Sequence, residues 1–169
     1  MVLPRLTLIL GGAASGKSAH AEALFEGVAR RVYLATGQAF DEEMRAKIEL
    51  HIARRGPDWR TVEAPLEAAG ALAGLAEGES CLFDCATFWL SNHLLAGSDL
   101  ADESARLLAA VAACPAPLVV VSNEVGMSVV PENALARRYR EAQGRLNIAL
   151  AQAADRVVMV AAGLPMVLK

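Results

Sequence analysis

Residues 11–18 read Gly-Gly-Ala-Ala-Ser-Gly-Lys-Ser, a full match to the pattern G-x-x-x-x-G-K-[ST]. Glycines let the backbone curl so that successive N–H groups point at phosphate oxygens, and a following helix adds its positive N-terminal end. In this pattern Lys17 reaches the β- and γ-phosphates and the Ser18 hydroxyl ligates Mg²⁺. The alternative is a glycine-rich turn with a solvated lysine. The apolar run before the pattern and the helical pattern after it favour a nucleotide site.

A magnesium site of this kind also needs an acidic side chain at the end of a neighbouring strand. The segment Ser80–Asp84 is an apolar run that ends on a carboxylate, so Asp84 is the candidate. Asp is also a frequent helix N-cap, and the helix predicted from Thr87 offers that second role. The two roles are compatible.

The chain has three histidines. His20 and His93 lie within predicted helices and are interpreted as ordinary helix residues. His51 closes a predicted helix and is followed by Arg54 and Arg55, whose guanidiniums suit a transferred phosphate. By spacing alone His51 belongs to an apolar helical stripe, which favours a packing role over a catalytic one.

Composition limits the classes of protein that the chain can represent. It has 169 residues, 16 Lys and Arg, 19 Asp and Glu, and a formal net charge of −3. A 54% hydrophobic content excludes a disordered chain, and the length suits one domain over residues 1–169. The mild acidity argues against nucleic-acid binding through a basic surface, so an anionic ligand needs a local binding device.

The cysteines Cys81, Cys85 and Cys114 have neither CxxC spacing nor a neighbouring His/Cys cluster. No disulfide framework or zinc site is therefore expected, and a reducing, cytoplasmic setting is favoured. The apolar run Leu6–Leu10 is too short for a signal peptide, and no apolar run approaches the roughly 18 residues of a membrane span.

Short apolar runs alternate with helical patterns along the chain, which predicts an α/β fold with a mostly parallel sheet. The expected strands are Leu6–Leu10, Arg31–Ala35, Ser80–Phe83, Leu118–Val121, Arg156–Val160 and a possible Met166–Leu168. The expected helices are Lys17–Ala29, Asp41–Arg54, Leu66–Ala76, Thr87–Leu95, Asp102–Ala113 and Asn133–Ala154. Segments 54–59 and 122–133 are interpreted as loops.

Several motifs in order resemble the bifunctional adenosylcobinamide kinase/adenosylcobinamide-phosphate guanylyltransferase family of cobalamin biosynthesis. The resemblance covers nearly the whole chain. It rests on the phosphate-loop pattern together with Tyr33–Thr36, His51, Trp59–Glu63, Asp84–Thr87, Asn92, Ser122–Gly126, Val130–Pro131 and Arg145–Asn147.

The resemblance implies a P-loop (RecA-like) fold and two reactions on the aminopropanol arm of a corrinoid. The hydroxyl of adenosylcobinamide is phosphorylated by ATP or GTP, and adenosylcobinamide phosphate then receives GMP from GTP. In the family the guanylyl group passes through a histidine phosphoramidate, and the matching position is His51. A homotrimer is also implied.

The resemblance further implies a set of nucleotide contacts. Glu63 would accept hydrogen bonds from a guanine edge, although it also suits a solvated strand end. Mg²⁺ would be held by Ser18 and Asp84. The implied nucleotide contacts are Gly11, Gly12, Ala13, Ala14, Ser15, Gly16, Lys17, Ser18, Ala35, Thr36, Gly37, Ile52, Ala53, Arg54, Arg55, Glu63 and Asp84.

Some features depart from the family or leave its roles open. Family P-loops commonly carry Arg where this chain has Ala14, and the proline in Arg55–Asp58 comes one position later than expected. Glu124 either contacts the corrinoid or caps the following turn.

Two other functions are considered: a simple small-molecule kinase in which His51 only packs, and a nucleotide-binding regulatory module without turnover.

Overall fold

The computed structural model describes residues 3–38, 42 and 58–169. The described strands are β1 (Leu6–Gly11), β2 (Arg31–Ala35), β3 (Trp59–Glu63), β4 (Ser80–Asp84), β5 (Leu118–Asn123), β6 (Arg156–Ala161) and β7 (Leu164–Val167). The described helices are α1 (Lys17–Ala23), α2 (Ala68–Ala73), α3 (Ala86–Leu95), α4 (Leu100–Ala113) and α5 (Ala134–Ala153).

The seven described strands form one sheet in the order β3-β2-β4-β5-β1-β6-β7. All neighbouring pairs are parallel except β6 and β7, which pair in antiparallel fashion. The carboxyl ends of the first six strands in this order therefore meet at one edge of the sheet, where open α/β sheets bind their ligands. The predicted α/β fold with a mostly parallel sheet is confirmed.

Both faces of the sheet are covered in the described part of the chain. The central strands are short runs rich in Val, Leu and Ile, and alternate side chains point to opposite faces. One face, which includes Leu8 and Val120, packs against α2, α3, α4 and α5. The other face, which includes Ile9 and Val121, packs against α1 and the buried Phe25.

β3 is a strand that the sequence analysis did not predict. It pairs with β2 alone and lies at one end of the sheet, and three of its five residues are exposed. An exposed edge strand lacks the continuous apolar run of a buried strand, so the pattern carried no signal for it. Trp59 anchors β3 because its ring lies 4.9 Å from that of Phe25.

Helix α1 is shorter than predicted, since it ends at Ala23 instead of Ala29. Beyond it the backbone changes to i→i−3 hydrogen bonds, and Gly27 adopts a φ of 78°. These turns bury Phe25 completely, so tertiary packing overrides the helical pattern here.

The other boundaries differ by a few residues. α4 begins at Leu100 because the Asp99 carboxylate accepts from the Ala101 N–H at 2.9 Å. α2 occupies only the middle of its predicted range. β7 starts earlier than predicted because Ala162 and Gly163, at φ 51° and 78°, form a two-residue hairpin turn. The predicted helix Asp41–Arg54 lies, apart from residue 42, outside the described residues.

The three cysteines are free thiols. Burial raises the pKa of the Cys81 and Cys85 thiols to about 12, so both remain protonated at neutral pH. This agrees with the expectation that the cysteines form no disulfide. Among the described helices, none is long and apolar enough to cross a membrane.

A buried carboxylate joins the amino ends of three strands. Glu79, which is 6% exposed, precedes β4 and accepts from the Ala76 N–H at 2.8 Å. It also pairs with Arg60 of β3 at 2.9 Å and with Arg30, next to β2, at 3.7 Å. The Ala76 hydrogen bond, and then the Arg60 guanidinium, lower the pKa of Glu79 against the opposing effect of burial.

We expect Glu79→Gln to lower the free energy of unfolding by about 1–3 kcal/mol at pH 7, because it leaves Arg60 without its buried partner. A depressed folded pKa stabilises the protein above the ordinary value of 4.5, and this contribution is lost as the pH falls through the folded pKa. Urea unfolding at pH 7 and pH 3 measures both effects. Glu77→Gln, on an exposed neighbour, is the control, and an equal loss at both pH values would contradict an electrostatic role.

Candidate nucleotide-binding site

The phosphate loop leaves β1 at its carboxyl end and enters α1 at Lys17. Gly16, at the N-cap position, adopts φ 91°, and Ala14 adopts φ 55°. Both values lie in the left-handed region, which turns the chain sharply toward the helix. The first N–H groups of a helix have no intrahelical acceptor, so the loop and α1 together offer donors to an anion.

Two glycines are required by close packing. A Cβ on Gly11 would lie 2.4 Å from Ser15 Oγ and 2.7 Å from the Val160 carbonyl oxygen. A Cβ on Gly16 would lie 3.1 Å from the Cα of Gly163. The Gly163 N–H also donates to the Ser15 carbonyl at 2.8 Å. The β6–β7 turn therefore supports the phosphate loop from the side.

The side chains of the loop are suited to an anionic ligand. Lys17 Nζ donates to the Gly12 carbonyl at 3.1 Å, which holds the ammonium against the loop. Ser15 Oγ is buried and has no hydrogen-bond partner among the described residues. A buried hydroxyl without a protein partner is costly unless a ligand or water satisfies it. Ser18 lies half-buried in the first turn of α1.

Asp84 ends β4 and is half-buried. Its Oδ2 accepts from the Tyr33 hydroxyl at 2.8 Å. In the sheet Asp84 is in register with Val121 of β5, which is in register with Ile9 of β1. The predicted N-cap role of Asp84 is wrong, because Cys85 occupies that position and its Sγ accepts from Phe88 N–H at 3.4 Å.

The ends of β2 and β3 lie beside Asp84. Ala35 is in register with Asp84 on one side and with the exposed Glu63 on the other. Thr36 is fully buried, and its Oγ1 accepts from the Cys85 N–H at 2.8 Å and donates to the Cys85 carbonyl at 2.7 Å. This pair of hydrogen bonds joins the segments that follow β2 and β4.

A polar network at the end of β5 was assigned no role by the sequence analysis. The Asn123 N–H donates to Thr87 Oγ1 at 2.7 Å, and Asn147 Nδ2 donates to the Asn123 carbonyl at 3.0 Å. Ser122 Oγ donates to Asn147 Oδ1 at 2.6 Å, and Gln143 Nε2 donates to the same atom at 3.0 Å. Two features of the sequence could have indicated this network: a Ser-Asn pair that ends an apolar strand, and a Gln and an Asn four residues apart on a later helix.

Glu124 caps the turn that follows β5. Its Oε1 accepts from the Gly126 N–H at 2.6 Å, as one of the two sequence interpretations predicted. Its own N–H donates to the Gly11 carbonyl at 3.1 Å, so the turn is attached to the phosphate loop.

The described histidines occupy ordinary helical positions, as predicted. His93 is buried in α3, with Nδ1 3.1 Å from Ser98 Oγ and Nε2 3.2 Å from the Leu66 carbonyl. Burial and the Arg156 charge lower the pKa of His20 in α1. The candidate nucleophile His51 and the predicted contacts Ile52, Ala53, Arg54 and Arg55 lie outside the described residues.

The loop, the lysine and the strand-end carboxylate define a P-loop nucleotide-binding protein with a RecA-like sheet. An ATPase from the type III secretion system of pathogenic bacteria superposes with a TM-score of 0.60 and 10% identity, covering 93% of this chain and 51% of that chain. The RadB recombinase gives 0.55 and 16% identity over 93% of this chain and 74% of that one. These likenesses concern the fold, and the predicted fold class is confirmed.

Residues 7–168 match the CobU family of cobinamide kinase / cobinamide phosphate guanyltransferase. The bifunctional adenosylcobalamin biosynthesis protein CobP of Pseudomonas aeruginosa is 46% identical over 166 residues, which cover 96% of each chain. The corresponding CobU of Salmonella typhimurium is 41% identical over 180 residues, covering 97% of this chain and 99% of the relative.

The chain belongs to this family. It is therefore a bifunctional enzyme of cobalamin biosynthesis that acts as a cobinamide kinase and a cobinamide-phosphate guanylyltransferase. The two other functions considered from the sequence, a simple kinase and a regulatory module, are set aside.

Gly16 and Gly12 provide a matched test of how the phosphate loop packs. We expect Gly16→Ala to lower the free energy of unfolding by about 1–2 kcal/mol, because alanine is disfavoured at φ 91° and its Cβ presses on Gly163. Gly12→Ala should change it by less than about 0.5 kcal/mol, since nothing lies within 4 Å of the added Cβ. Denaturant unfolding without nucleotide measures both, and equal losses would contradict the packing argument.

Proposed function

We propose that the phosphate loop, Asp84 and the ends of β2 and β3 form the nucleotide site for the phosphoryl and guanylyl transfer reactions. The observation that carries the proposal is the shared edge of the parallel sheet. Gly11 ends β1, Asp84 ends β4 and Ala35 ends β2, so the phosphate loop and the segments after β4 and β2 all lie at the edge where such sheets bind ligands.

In the kinase reaction the chain's own groups bind and orient the triphosphate. The loop N–H groups and Lys17 neutralise the β- and γ-phosphate oxygens of ATP or GTP. The hydroxyl of adenosylcobinamide attacks the γ-phosphorus, a new P–O bond forms, and the nucleoside diphosphate leaves as the hydroxyl loses its proton. Such a transfer needs positioning and charge neutralisation more than covalent help.

The donor set fits Mg²⁺, with Ser18 and Asp84 as its protein ligands. Among the described residues no three His, Cys, Asp or Glu side chains cluster as a complete metal cage. Mg²⁺ commonly uses one or two protein oxygens and completes its octahedron with phosphates and water. The Tyr33 hydroxyl orients the Asp84 carboxylate for this role. When bound, Mg²⁺ supplies neutralisation of phosphate charge.

In the guanylyl transfer the proposed nucleophile is His51, through the family resemblance. Its imidazole nitrogen attacks the α-phosphorus of GTP, forms a P–N bond and releases pyrophosphate. A phosphate oxygen of adenosylcobinamide phosphate then attacks that phosphorus, breaks the P–N bond and restores the imidazole. The neutral form of an imidazole offers a nitrogen lone pair for this attack.

Glu63 is proposed to contact the guanine base, and Ala35, Thr36, Gly37 and the segment 52–55 are proposed as further contacts of GTP. An exposed carboxylate pairs well with the adjacent N–H donors of guanine, and the register of Glu63 with Ala35 supports one shared base site. We further propose that residues 1–169 act as one domain in a cytoplasmic homotrimer.

Substitution of Tyr33, the hydrogen-bond donor to Asp84, tests the proposal that Asp84 holds Mg²⁺. Tyr33→Phe removes the hydroxyl that donates to Asp84, so we expect the half-saturating Mg²⁺ concentration of the kinase reaction to rise about tenfold. Asp84→Asn should lower kcat/KM by about 100-fold or more. Tyr139→Phe is the matched control, because that half-buried hydroxyl donates to the Thr87 carbonyl instead. Identical Mg²⁺ curves for Tyr33→Phe and wild type would contradict the assignment.

The His51 assignment is tested by trapping the intermediate. After incubation with GTP radiolabelled at the α-phosphorus and denaturation, wild type should carry an acid-labile, base-stable label. His51→Ala should lose the label and the guanylyltransferase activity but keep the kinase activity, because phosphoryl transfer does not use the histidine. His20→Asn is the control. It replaces a histidine of α1, and this variant should keep the label. A label that survives in His51→Ala would refute the assignment.

A further inference from the structure

The loop between β5 and α5 exposes an apolar surface, which we call the apolar loop surface. Exposed apolar patches beside polar residues commonly mark binding sites. The surface consists of Met127 at 82% exposure, Val129 at 91%, Val130 at 65% and Leu135, in the first turn of α5, at 50%.

This loop is held at both ends. At its start the Glu124 N–H donates to the Gly11 carbonyl at 3.1 Å. Arg140 of α5 donates to the Gly126 carbonyl, and Arg137 donates to the Pro131 carbonyl at 2.9 Å. Because the backbone is anchored on both sides of the apolar side chains, their exposure is built into the fold.

The apolar loop surface begins beside the nucleotide site. Asn123 is in register with Gly11, the first residue of the phosphate loop. The Asn123 N–H donates to Thr87 Oγ1, and the next residue along α3 is Phe88, which is 40% exposed. Phe88 therefore directly follows, in the first turn of α3, the residue that holds the start of the loop.

We propose that the apolar loop surface binds the corrin macrocycle of cobinamide, with Phe88 at its border. This rests on the proposed location of the phosphoryl donor in the P-loop, since the acceptor hydroxyl must reach the γ-phosphate. A triphosphate is recognised by backbone N–H groups and cations, whereas the corrin ring of cobinamide carries peripheral methyl groups and the methylene groups of its amide side chains. The apolar side chains of the loop can pack against the corrin ring, whereas the triphosphate has no apolar groups for them to contact.

The test removes apolar area without touching the core. In the double variant Met127→Ser/Val129→Ser both changes lie at highly exposed positions, so folding should be preserved. Leu95→Ser is the matched control. Leu95 is 67% exposed but ends α3, about 15 Å along the helix from the sheet edge where α3 begins.

Equilibrium dialysis with cobinamide, followed by its visible absorbance, gives the first readout. We expect the dissociation constant for cobinamide to rise about tenfold in the double variant and to stay within about twofold in Leu95→Ser. The dissociation constant for a non-hydrolysable GTP analogue should stay within about twofold in both. Sedimentation velocity should give the wild-type oligomeric state for both variants.

Three outcomes would overturn the proposal: unchanged cobinamide affinity, an equal loss of affinity for both ligands, or a changed oligomeric state in the double variant. The last result would assign the surface to a contact between copies of the chain. A failure of the proposed P-loop function can be told apart from a failure of this proposal. If the P-loop does not bind the phosphoryl donor, Lys17→Met should retain kinase activity. Dialysis would still measure whether the apolar loop surface binds cobinamide.

Discussion

The parallel pairing of β1 with β5 on one side and β6 on the other is the constraint on which the site depends. Gly11 is in register with Asn123 and with Val160, so the phosphate loop starts between two fixed strand ends. The approach is close enough that a single methyl group on Gly11 would meet the Val160 carbonyl. The loop's shape is therefore determined by strand pairing as well as by its own glycines.

The groups at this sheet edge explain how a chain with a negative net charge can attract an anionic ligand. A net charge of −3 provides no general attraction for a triphosphate. The loop N–H groups and Lys17 instead concentrate positive potential at one point. Asp84 lies two strands away at the same edge, where Tyr33 orients it. In the proposed site, nucleotide binding is a local property of the strand ends, and the apolar loop surface beyond β5 is chemically different from it.

Local patterns predicted the parts of the fold whose signal is local. The buried strands are continuous apolar runs, and the glycine-lysine pattern lies between a strand and a helix, as expected. β3 was missed because its one-sided pairing leaves Arg60, Thr61 and Glu63 exposed. The end of α1 was misplaced because burial of Phe25 in the core outweighs helix propensity in that turn.

The sequence by itself indicated the class of ligand, since a glycine-rich loop that leads through lysine and serine into a helix presents N–H groups and a cation to phosphate oxygens. The tertiary structure decided which distant residues support it. Tyr33 orients Asp84 across 51 positions of the chain, and the Gly163 N–H supports the Ser15 carbonyl from the far end of the sequence. Such contacts depend on the order of strands in the sheet, which local periodicity does not encode.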